Sequence, residues 1–121
     1  MDKIPKNKTY DLEDRTFNFA KRCRDFVNKL PKTIANLEYG RQLIRSSGSQ
    51  AANYIEANES ISKKDFIHRI KISRKEAKES RLWLRLSEVG ENKGLGNEQA
   101  ELINEAIELT KIFNSIASKS N

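Results

Sequence analysis

Phe66, Ile70, Ser73, Ala77, Ser80 and Leu84 follow one another at steps of four, three, four, three and four residues. An α-helix, with about 3.6 residues per turn, gathers such positions onto one face. The alternation is a heptad seam, the pattern that lets helices pack nearly parallel along their length. The same rhythm recurs at Leu12, Phe19, Cys23, Phe26 and Leu30, flanked by Phe17, Ala20 and Val27. It recurs again at Leu102, Ala106, Leu109, Phe113 and Ile116. A fourth stripe, Leu37, Gly40, Ile44, Ser47, Ala51 and Ile55, is rich in small residues, with Gly48 and Ala52 close by. Glycine inside a helix costs about 1 kcal/mol relative to alanine, and close approach to a neighbouring helix is the expected compensation.

The breaks between the stripes are short. Asp11 is the expected cap of the first helix, and Glu13 and Asp14 suit its positive end. Pro31 disfavours helical geometry at Leu30 and stops that helix. Thr33 can cap the second helix, which breaks near residues 58–61. Ser62 can cap the third, with Asp65 three residues on. GENKGLG, residues 90–96, reads as a loop, and Asn97 as the cap of the fourth helix. Four amphipathic helices joined by short loops predict an all-α fold, an antiparallel up-down-up-down four-helix bundle. The expected organisation is a polar arm over 1–10, one domain over 11–118 and a fraying tail over 119–121.

Several classes of function find no support. One cysteine and one histidine cannot build a zinc centre, and no Glu-x-x-His pair offers a di-metal carboxylate site. His68 lies among lysines on an expected outer face, and Cys23 lies on an apolar stripe, so neither reads as a catalytic residue. The 93–96 segment lacks the order of a phosphate-binding loop. No cofactor, metal or small-molecule substrate is expected. The opening residues hold no apolar signal region, and no apolar run approaches the roughly 18–20 residues of a membrane span. The expected compartment is the cytoplasm.

Charge is concentrated. Residues 63–85 carry nine Lys or Arg and three Asp or Glu, an excess of +6 that equals the formal charge of the whole chain. Lys64, Lys71, Lys78 and Arg85 are seven apart and share a face. Lys75 joins it, and Arg74 and Arg81 flank it. Such a row can track the phosphates of RNA or DNA, and it can equally be a solvated outer helix face. No aromatic cluster or glycine-rich loop supports base-specific readout. Leu82, Trp83, Leu86 and Val89 add an apolar group beside the row, a pattern that marks an interface with a protein partner or a second copy.

Three stretches resemble a known family. The first is DLEDRTF over 11–17 with Phe19 and Ala20. The second is GRQLIRSSGSQAANY over 40–54, followed by Glu56 and Ala57. The third is SKKDFI over 62–67 with KISRKEA over 71–77, closing on Trp83 and Leu84. Together they look like the 23S rRNA-intervening-sequence proteins, and the Arg-Ser-x-Gly-Ser-x-x-Ala-Asn pattern over 45–53 is the most specific part. Gln50 stands where small or aliphatic residues are commoner in that family. The resemblance implies a four-helix bundle that forms homo-oligomers, typically pentameric rings. It also implies kinship with the accessory variability protein of diversity-generating retroelements, a basic ring that binds nucleic acid and a reverse transcriptase. Carried onto this chain, the likeness adds Arg41 and Arg45 to Lys71, Lys75 and Lys78 as basic candidates.

Overall fold

The computed structural model describes residues 8–120, with side chains from Leu12 onward. Four helices follow one another: α1 (Lys8–Lys29), α2 (Ile34–Asn58), α3 (Lys63–Leu86) and α4 (Lys93–Lys119). Each packs on two neighbours in a cycle, α1 on α2, α2 on α3, α3 on α4 and α4 back on α1. The α2/α3 contact is the most extensive and α1/α4 the slightest. This is the expected antiparallel bundle.

Two caps form as the sequence predicts. Thr33 Oγ1 accepts the Asn36 N–H at 3.1 Å, and Ser62 Oγ accepts the Asp65 N–H at 3.0 Å. Two helix starts differ. α1 already runs at Lys8, a turn ahead of Asp11; Lys8, Thr9 and Tyr10 include neither proline nor glycine to stop it. The first seven residues of the expected arm lie outside the described residues. α4 begins at Lys93 instead of after Asn97, because Asn92 Oδ1 accepts the Leu95 N–H at 2.9 Å and Leu95 is buried. A capped first turn anchored by a core leucine outweighs the two glycines within it. The loop therefore shrinks, with Gly90 at φ +69°, a left-handed conformation that glycine adopts without strain. At the other end α4 includes Lys119, so the helix extends into the segment expected to fray.

The α3 and α4 seams are the core, along with Leu12, Phe19, Cys23, Phe26 and Leu30 of α1. Phe66 and Ile116 pack against it half-buried, and Phe17 faces solvent. α2 departs most from expectation. Its inner residues are Asn36, Gly40, Leu43, Ser46, Ser47, Gln50, Tyr54 and Ala57, whereas Leu37, Ile44 and Ile55 are exposed. The helix is rotated by about one residue from the stripe that hydrophobicity picks out.

The rotation is stabilised by polar residues that find partners. Gln50 Nε2 donates to the carbonyls of Thr16 and Ser47, each at 2.9 Å. Ser73 Oγ donates to the Gln50 carbonyl at 2.9 Å, and the Ser46 and Ser80 hydroxyls meet at 2.8 Å. Asn36 ties two turns together: its Nδ2 donates to the Pro31 and Glu88 carbonyls, and its Oδ1 accepts the Glu88 N–H, all at 2.9 Å. Buried polar groups satisfied in this way are tolerated in a core. Gly40 lets α2 approach α1, since a Cβ there would stand 2.8 Å from Val27 Cγ1. α1 and α4 are joined at their rims by an ion ladder, Arg15 to Glu105, Arg22 to Glu101 and Lys29 to Glu98, at 2.7–2.9 Å. The Glu105 partner pushes the Arg15 pKa above its ordinary value.

Candidate nucleic-acid interface

α3 sorts its charges by side. Its core seam faces inward, and its carboxylates Glu76 and Glu79 turn toward α2. There Arg45 engages both, at 3.3 Å and 2.7 Å. Glu76 is buried, so this pairing neutralises an acid that would otherwise be costly to desolvate. Lys64, Lys71, Lys75, Lys78, Arg81 and Arg85 remain on the outside, all exposed. None of the six makes an ion pair among the described residues. Successive members of the Lys64, Lys71, Lys78, Arg85 row stand about 10 Å apart along the axis, at a rise of about 1.5 Å per residue.

The remaining basic candidates occupy other places. Arg74 is half-buried and donates to Asn114 Oδ1 of α4 at 2.8 Å, at the edge of the row. Arg41 lies on α2 beside Glu38 at 3.2 Å. Arg45 is committed to the two glutamates. Arg41 and Arg45 therefore do not extend the α3 row, and the row itself is built from α3 alone.

The apolar group beside the row divides. Leu82 and Leu86 are exposed. Trp83 and Val89 pack against the core, with Trp83 stacked on Tyr39 at a ring-centroid distance of 6.1 Å. The indole N–H of Trp83 is buried with no hydrogen-bond partner. The exposed aliphatics of α2, Leu37, Ile44 and Ile55, are hidden in the sequence because their helical spacing reads as a core stripe.

Chemistry-bearing residues are not assembled. Cys23 is buried in the core, which pushes its thiol up to about 12, and His68 stands exposed on α3. Among the described residues, no group of three or more His, Cys, Asp or Glu could hold a metal ion. No helix among them is long and apolar enough to cross a membrane.

A family model, that of the 23S rRNA-intervening sequence protein, matches residues 8–115, all four helices. The chain belongs to this family. A solved relative supports the fold: the 1.70 Å crystal structure of a protein of unknown function from the S23 ribosomal protein family of Bacteroides thetaiotaomicron. It is 28% identical, with a TM-score of 0.73, over 87% of this chain and 96% of that one. No curated protein matches the chain. Neither the family nor the relative carries an enzymatic description.

Proposed function

We propose that this chain is a cytoplasmic, non-enzymatic, self-associating protein that binds RNA or DNA along the outer face of α3. One observation carries the reading: six exposed cations stand on a rigid helix while its glutamates are turned away and held by Arg45. A face left so unbalanced attracts a polyanion and gains from counterion release. The row holds no Phe, Tyr or Trp, so it offers no large aromatic platform for single-stranded bases. It suits the backbone of a duplex or folded RNA, with weak dependence on sequence.

Fluorescence anisotropy with labelled structured RNA and duplex DNA tests this. Affinity should fall steeply with salt and be lost when Lys71, Lys75 and Lys78 become Glu. Retained affinity in that variant would refute the surface. A second reading, a scaffold for a protein partner such as a reverse transcriptase, draws on exposed Leu82 and Leu86. It expects a partner captured at physiological salt that survives nuclease treatment and is lost in Leu86→Glu.

A further inference from the structure

Arg45 engages three side chains at once. Its Nε donates to Gln42 Oε1 at 3.3 Å, its Nη1 to Glu76 Oε1 at 3.3 Å and its Nη2 to Glu79 Oε1 at 2.7 Å. The rigid, planar fork of a guanidinium holds such partners in fixed directions, which the single ammonium of a lysine does not. The two glutamates differ in freedom. The Glu76 side chain is 10% exposed and that of Glu79 is 35% exposed. Glu76 is confined by its surroundings, whereas Glu79 depends on Arg45 for its direction.

Helix geometry says where Glu79 would turn without that partner. Lys75 precedes it by four residues, so the two stand about 40° apart around the axis, one turn above the other. Such a pair meets readily on a helix surface. In the structure Glu79 reaches across to α2 instead, and Lys75 makes no ion pair among the described residues. The basic row leans the other way, toward α4, where Arg74 meets Asn114.

We propose that Arg45 is a positioning residue of the basic face: it holds Glu79 toward α2 and so keeps Lys75 open to a phosphate, without being a phosphate contact itself. The proposal rests on the reading above, in which the α3 row binds nucleic acid, and adds a helix that does not carry the row. A carboxylate returned to Lys75 competes with the phosphate for the ammonium and repels it. The strength of the α3 face is thereby set from α2, across the most extensive helix contact in the bundle.

The test is anisotropy with labelled duplex DNA on the full chain, with circular dichroism as a folding control. Arg45→Gln combined with Glu76→Gln releases Glu79, leaves net charge unchanged and leaves no buried acid unpaired. Affinity should fall about threefold to eightfold, the upper figure being the loss of one phosphate contact at about 100 mM salt. Adding Glu79→Gln should restore wild-type binding. In a Lys75→Gln chain the same pair of substitutions should have no effect, because the cation that Glu79 would cover is gone. If the pair loses helicity, Arg45→Lys makes the same comparison, since its ammonium still neutralises Glu76. Wild-type affinity in the folded variant would overturn the positioning role and leave the basic face standing. A loss that Glu79→Gln fails to restore would do the same, by making Arg45 a contact in its own right. A wild-type chain that binds neither duplex DNA nor structured RNA at low salt would overturn the basic face, and the role of Arg45 with it.

Discussion

Neutralising Lys71, Lys75 and Lys78 with glutamine should halve the salt dependence of nucleic-acid binding. The magnitude follows from the six exposed cations of the α3 row, none of them paired with a carboxylate among the described residues. If each meets one phosphate, log K against log salt has a slope of about −5 on duplex DNA and about −4 on a single strand. Affinity for the duplex then drops roughly a thousandfold between 50 and 200 mM salt. Removing three of six contacts should bring the duplex slope to about −3. Folding should be untouched, because the three side chains are exposed and lysine and glutamine have similar helix propensity. Anisotropy titrations at five or six salt concentrations give the slope directly, with Lys21→Gln on α1 as the control that should leave it unchanged. Identical slopes for the wild type and the triple variant would refute the assignment of phosphate contacts to this row.

Three further outcomes probe the fold. Asn36→Ala removes three hydrogen bonds that link the α1–α2 and α3–α4 turns through the Glu88 and Pro31 backbone; urea unfolding should show a loss of about 3 kcal/mol. Gly40→Ala drives a Cβ against Val27, a stiff β-branched side chain. It should cost about 1–2 kcal/mol despite the gain in helix propensity, and Val27→Ala in the same chain should recover most of it. Cys23 should resist a thiol reagent at pH 8 until the chain unfolds. Its folded thiol holds the proton up to about 12 against an ordinary 9.0. Its contribution to stability is therefore complete below about pH 9 and lost as pH rises from there toward 12. A Cys23→Ala chain should lack that part of the alkaline loss in thermal melts.

The bundle, the α3 and α4 seams and two caps were legible because they follow from local rules: spacing, a polar cap and a proline. The basic row was legible for the same reason, since seven-residue spacing sets a helical face whatever the neighbours do. The fates of Arg45 and Trp83 were not legible. Arg45 is drawn to Glu76 and Glu79 on another helix, and Trp83 is drawn inward against Tyr39. Both depend on which face of α2 meets α3, which no single-helix pattern contains. Asn97 lost to Asn92 for a similar reason. The deciding contact is the burial of Leu95, which is set by tertiary packing.

The rotation of α2 joins these misses into one cause. Hydrophobicity alone would bury Ile44 before Gln50 or Ser46, yet the small and polar residues lie inside. They can do so because Gly40, Ser46 and Ser47 occupy little space between two close neighbours, and because the amide N–H groups of Gln50 reach backbone carbonyls on two helices. Of the polar side-chain atoms buried on α2, Gln50 Oε1 is left with no partner among the described residues. Hydrogen bonding thus offsets the cost of burying these groups. What the core gives up, the surface receives: with α2 turned this way, Leu37, Ile44 and Ile55 are carried outward together on one line. The packing choice that builds the interior of α2 is the same choice that builds its outer face.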